Sequence, residues 1–265
     1  MQHYLSVRAA KHIAVAALAA TVTLPVAARA EQPNCDVQRD LVRFAVPLPH
    51  VGHKLSTGQP ITIVAIGSSS TAGAGASSPA ATYPSRLQVE LSQRFPGHSI
   101  TVINRGVNGE EVPDMLKRFD QGVIAAKPDL VIWQLGTNSV IRDHAVTDNG
   151  ASIHFGIEKI RASGADIVLL DPQYAPKVIA KPEAARMVEL IAVTAKQEDI
   201  DLYPRFDVMR RWHDVDHMDF TAFVSPDGLH LNDWSYACLA KGLGHAIAEA
   251  AQRPVLSASM HAFAD

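Results

Sequence analysis

A doubly wound, three-layer α/β domain follows from three features of the sequence. First, short runs at 61–67, 100–104, 130–135 and 167–170 are almost continuously apolar and rich in Ile and Val. Strands buried on both faces of a parallel sheet read this way, whereas half-exposed strands alternate. Second, the intervening segments at 82–95, 112–126, 150–162 and 183–198 carry apolar residues at helical spacing. Strand–helix alternation of this kind predicts a parallel sheet with right-handed crossovers and helices on both faces. Third, no period of 20–50 residues recurs and no low-complexity linker divides the chain, so one domain is expected.

Each element has its own justification. The run at 61–67 is the first strand, and those at 100–104, 130–135 and 167–170 follow as the second to fourth. A weaker fifth is expected at 200–203. The last helix is expected at 233–251, with Asp233 as its N-cap after the loop 227–232. Upstream, Pro33, Pro47, Pro49, Pro60, Gly52 and Gly58 mark residues 31–60 as an irregular arm. The domain is expected to span 61–252, with a tail at 253–265.

Residues 1–30 read as a leader. Arg8, Lys11 and His12 precede an apolar run of about 12 residues, which closes at Ala28-Arg29-Ala30, an A-x-A cleavage signature. The run is short of the roughly 20 residues that a membrane span needs. A removed signal peptide and a periplasmic or secreted mature chain are expected, with no stable membrane insertion after cleavage. The whole chain has 24 basic and 27 acidic residues; without Arg8, Lys11 and Arg29 the balance is 21 against 27. That is no electrostatic footprint for nucleic acid. The two cysteines, Cys35 and Cys238, both lie beyond the leader. In an oxidising compartment they form a disulfide candidate.

Ligands of open α/β sheets bind at the carboxyl ends of the strands, and the loops there are distinctive. After the first strand comes Gly67-Ser68-Ser69-Ser70-Thr71-Ala72-Gly73. The second leads into Arg105-Gly106-Val107-Asn108-Gly109 and the third into Gly136-Thr137-Asn138. Asp227-Gly228-Leu229-His230 stands near the C-terminus. A serine hydroxyl becomes a nucleophile when a neighbouring base takes its proton. His230 is the candidate base, with Asp227 three residues earlier to orient it. Neither a G-x-S-x-G elbow nor a nucleotide-binding glycine loop is present.

These four blocks, in this order and spread over residues 61–245, resemble those of the SGNH (GDSL-like) hydrolase family. The resemblance implies a three-layer α/β/α flavodoxin-like fold with a mainly parallel five-stranded sheet. It further implies a serine esterase without cofactor or metal, in which Ser69, Asp227 and His230 form the triad. The oxyanion donors would be the N–H groups of Ser69 and Gly106 and the side chain of Asn138. Two positions depart from the pattern. Ser68 stands where the family has Asp, and Ser139 follows Asn138 where Asp is common. Tyr174, after the fourth strand, is a candidate substrate contact. An acylated saccharide is the expected partner, given the exported compartment. Acyl transfer with the same residues and a non-catalytic glycan-binding role remain open at this point. A rival constellation, His213 and His217 at i, i+4 among Asp214, Asp216 and Asp219, would face a metal if helical.

Overall fold

A computed structural model of the chain, described for Cys35 and residues 39–254, contains five strands in one parallel sheet. The strands are β1 (Ile61–Gly67), β2 (Ile100–Gly106), β3 (Leu130–Gln134), β4 (Asp166–Leu170) and β5 (Asp201–Tyr203), in the spatial order β2-β1-β3-β4-β5. All four pairings are parallel. This is the flavodoxin-like order, and its topological switch lies between β1 and β3. The three-layer fold implied by the resemblance is the fold observed.

Two cores explain why β1, β3 and β4 read as unbroken apolar runs, whereas β2, at the sheet edge, exposes Thr101, Asn104 and Arg105. Ile61, Ile63 and Ala65 of β1 pack with Leu130, Ile132, Val168 and Leu170 into one core, closed by Leu87, Leu91, Leu239, Leu243 and Ile247 of helices Tyr83–Arg94 and Asp233–Ala251. Val64 and Ile66 point the other way, with Val131, Trp133, Ile167 and Leu169, towards helices Val112–Lys117, Thr147–Ala162 and Ala184–Gln197. Successive side chains of a strand alternate faces, and here both faces are covered. Trp133, expected as core, is fully buried, and its indole N–H meets Met115 Sδ at 3.2 Å.

Several expectations are corrected. The segment 112–126 is three short pieces, Val112–Lys117, Phe119–Gly122 and a 3-10 turn Ile124–Ala126. The first break falls at Arg118, whose guanidinium is drawn back to Glu110 and to the Arg105 carbonyl. In the arm, Arg39–Val42 and Pro49–Ser56 are helical, the second opening on Pro at its first position, where its fixed φ and missing N–H cost nothing. Asn232, not Asp233, caps the last helix, accepting the Ser235 N–H at 3.1 Å. Asp233 instead accepts the N–H and hydroxyl of Ser77.

Cys35 and Cys238 are paired, with Cα atoms 5.4 Å apart, a separation that a disulfide spans. No helix among the described residues is long and apolar enough to cross a membrane. The leader at 1–30 and the tail from 255 lie outside the described residues.

Candidate active site

The sheet topology brings the sequence blocks to one edge. Gly67 and Gly106 are register partners at the ends of β1 and β2, and Ile66 pairs with Trp133 of β3. The loops that leave these strands therefore start side by side. After β1, Ser68 leads into a one-turn helix, Ser69–Ala72. Successive helical positions point about 100° apart, so the three serines face three directions. Ser68 and Ser70 are buried, while Ser69 is partly open to solvent.

Each hydroxyl has a different partner. Ser69 Oγ lies 2.8 Å from His230 Nε2. Ser70 Oγ donates to Gln173 Oε1 at 3.4 Å, and Ser68 Oγ donates to Gln134 Oε1 at 3.0 Å. The same Gln134 oxygen accepts the Ser68 N–H at 2.8 Å and the Thr71 hydroxyl at 3.4 Å. A backbone N–H can only donate, so the atom facing it is the amide oxygen. The buried Gln134 thus braces the turn from which an aspartate is missing.

His230 and Asp227 sit in a tight loop. An antiparallel bridge joins Val224 to Leu231, and the Ser225 N–H donates to the His230 carbonyl at 2.7 Å. Between them Gly228 adopts φ +68°, a left-handed conformation that side chains with Cβ resist. The turn lets Asp227 Oδ1 accept the N–H groups of Leu229 and His230 at 2.9 and 3.0 Å, while Oδ2 meets His230 Nδ1 at 2.5 Å. Burial pushes the Asp227 carboxyl upward, but these hydrogen bonds outweigh it and hold the group below its usual range. A carboxylate on Nδ1 leaves Nε2 free to accept the Ser69 proton.

Asn138 opens the next feature. It lies in helix Thr137–Ile141 after β3, is 6% exposed, and donates through Nδ2 to the Glu110 carbonyl at 2.8 Å. An amide nitrogen carries a second hydrogen, available to a developing oxyanion. Ser139 donates to Glu111 Oε2 at 2.8 Å, and Arg142 and His144 reach the same carboxylate at 2.6 and 2.9 Å. Burial pushes Glu111 up, but these partners hold it below its ordinary range. Glu111, from the loop before helix Val112–Lys117, thus ties Ser139 to Arg142 and His144.

Gly106 does not offer the donor assigned to it. Its N–H already donates to Asn104 Oδ1 at 2.9 Å. A Cβ there would meet the Ala72 nitrogen at 2.0 Å, so glycine is required for close backbone approach. Three residues on, Gly109 has φ +80° and an N–H that enters no hydrogen bond among the described residues. The same is true of the Ser69 N–H, at the first position of its helix.

The remaining candidates separate. Tyr174 belongs to an aromatic group, stacked on Phe220 at 5.8 Å and edge-on to Phe206 at 5.1 Å. The rival metal face does not form, because helix Arg205–Asp214 ends before His217, which takes φ +55°. His213 stacks on Phe220 at 4.3 Å. Among the described residues, no three His, Cys, Asp or Glu side chains cluster as metal ligands.

Comparison with known proteins agrees with this architecture. An arylesterase of Vibrio mimicus is 26% identical over 125 residues, covering 47% of this chain and 61% of that protein. An acetylxylan esterase of Geobacillus stearothermophilus is 39% identical over 54 residues, which are 20% of this chain and 25% of that one. The chain therefore spans under two thirds of the length of these curated relatives. The crystal structure of the Geobacillus enzyme superposes with a TM-score of 0.60 at 20% identity, over 71% of this chain and 94% of that one. A two-domain esterase described as active on acetylated mannans gives 0.67 at 17% identity, over 84% of this chain and 59% of that one. The profile of the non-GDSL lipase-like family matches residues 34–253, a description in keeping with Ser68 in the first block. The chain belongs to the non-GDSL lipase-like family.

Proposed function

We propose that the protein is an exported serine esterase that removes short acyl groups, acetyl above all, from a saccharide. The observation that carries this reading is the continuous chain Asp227–His230–Ser69, with contacts of 2.5 and 2.8 Å. Ser69 Oγ attacks the ester carbonyl carbon while His230 Nε2 takes its proton. The carbonyl electron pair moves onto oxygen, where the Ser69 N–H, the Asn138 amide and the Gly109 N–H receive it. Each such donor contributes on the order of 3 kcal/mol. Collapse expels the alcohol, which leaves with the proton from His230. Water, deprotonated by His230, then attacks the acyl-serine; the acyl–Oγ bond breaks, Ser69 Oγ takes the proton back from His230 and the acid is released.

The saccharide rests on the acetylated xylan and mannan in the names of the relatives, and on an acidic chain with an export-type leader. Tyr174 and its aromatic neighbours are the surface we assign to the sugar. An ester panel tests the reading, with p-nitrophenyl acetate through laurate beside acetylated xylan and mannan. Turnover concentrated on acetyl esters and on the polysaccharides is expected. Preference for long acyl chains with no release of acetate from either glycan would overturn the substrate assignment.

A further inference from the structure

Gln173 is fully buried in the loop after β4 and takes no part in the chemistry above. Its amide joins three segments that are distant in sequence. Oε1 accepts the Thr137 hydroxyl at 2.9 Å and the Ser70 hydroxyl at 3.4 Å, and Nε2 donates to the Leu229 carbonyl at 3.1 Å. A carbonyl can only accept, so the nitrogen must face Leu229 and the oxygen must face the two hydroxyls. Each of these partners is the immediate neighbour of a proposed functional residue: Ser70 of Ser69, Thr137 of Asn138, Leu229 of His230.

The loop that carries Gln173 is itself fixed. Arg205, buried, donates through Nε and Nη2 to the Asp171 carbonyl at 2.9 and 2.6 Å. On the far side the Lys177 N–H donates to the Gly228 carbonyl at 3.0 Å. A rigid support thus ends in one amide that touches all three catalytic segments.

We propose that Gln173 is a positioning residue that holds the nucleophile turn, the Asn138 helix and the His230 loop in mutual register. The proposal rests on the serine-esterase reading. Misplacement of reacting groups by about 1 Å can cost on the order of 10²-fold in rate, and no other side chain described here bridges these three segments. Gln173→Met keeps the length and removes every bond. Gln173→Glu offers a further control. Its protonated carboxyl can accept from the hydroxyls and donate to Leu229, whereas its carboxylate cannot donate and is disfavoured by burial.

The experiment is fluorophosphonate labelling with intact-mass detection, together with kcat and KM on p-nitrophenyl acetate. Wild type that takes no label defeats the esterase reading itself, independently of Gln173. Given a labelled wild type, Gln173→Met is expected to reach one label per chain about 10- to 100-fold more slowly, with kcat lowered in proportion and KM within about twofold. The activity of Gln173→Glu relative to wild type is expected to fall as pH rises. A purely structural role would reduce the labelled fraction while the rate constant of the remainder stayed at the wild-type value. That result, or a flat Gln173→Glu ratio, overturns the proposal. Should Gln173→Met fail to fold, Thr137→Val removes one bond and is expected to lower kcat about 3- to 10-fold at unchanged KM; no change would count against the proposal.

Discussion

Replacement of Asp227 by Asn tests how the loop 224–231 controls the base. In the protein, Asp227 Oδ1 holds two backbone N–H groups and Oδ2 holds His230 Nδ1. Asn can keep the first pair only by turning its NH₂ towards the ring. Nδ1 must then accept, and Nε2 carries the hydrogen and cannot take one from Ser69. The opposite flip restores the useful tautomer but sets NH₂ against the two N–H groups, losing two hydrogen bonds of about 1 kcal/mol each. The productive state therefore falls roughly 30-fold in population. Loss of the negative charge opposite the imidazolium adds about 1–2 kcal/mol, reduced from the buried-pair value because the carboxylate is 43% exposed. Together these give about 3–4 kcal/mol, a loss of about 10²–10³-fold in kcat at about 1.4 kcal/mol per decade. Stopped-flow hydrolysis of p-nitrophenyl acetate measures it, with thermal unfolding to confirm an intact fold. A folded Asp227→Asn enzyme with wild-type kcat would refute the reasoning, because His230 would then owe its orientation to another group.

Other perturbations have defined outcomes. Asn138→Ala should lower kcat by about 10²–10³ with KM nearly unchanged, since its amide meets charge that develops only in the transition state; an effect confined to KM would make Asn138 a ground-state contact. Asp171 is fully buried, and desolvation pushes its carboxyl up to about 7 against the pull of the Phe206 N–H and the Arg205 guanidinium. A raised folded-state pKa means that its contribution is complete below the unfolded value near 4 and is lost as pH rises through about 7. Asp171→Asn, which stays neutral, should therefore gain in Tm relative to wild type between pH 5 and pH 8, and a relative decline would reverse the assignment. Reduction of Cys35–Cys238, residues 203 apart in sequence, should lower Tm, since the chain-entropy model gives about 5 kcal/mol for so long a loop. Two free thiols titrated in unreduced, denatured protein would show that no bridge forms.

Strands β1, β3 and β4 were legible because burial on both faces writes the same apolar run whichever way a side chain points, and the four long helices because they are periodic over three turns or more. The short helices at 69–72, 137–141 and 176–179 were not, since a single turn has no period to detect. They are held by contacts from elsewhere, such as Ser70 and Thr137 on Gln173. The N-cap was misplaced by one residue because Asn and Asp are both good caps, and only Ser77, 156 residues away, explains why Asp233 is engaged elsewhere. Gly106 and Gly109 were indistinguishable as letters. What separates them is the Asn104 side chain on one N–H and the backbone of Ala72 against the first glycine. Gln134 and Gln173 carried no signal of their own, since a buried amide announces itself only through partners that the fold assembles.

The most direct test of the central claim is site-resolved mass spectrometry after fluorophosphonate labelling of the wild type and of Ser68→Ala, Ser69→Ala and Ser70→Ala. A single adduct on Ser69 is expected, absent from Ser69→Ala and retained in Ser68→Ala and Ser70→Ala. An adduct that survives Ser69→Ala, or one that maps to Ser68, Ser70 or another serine in the wild type, would contradict the assignment of Ser69 as the nucleophile.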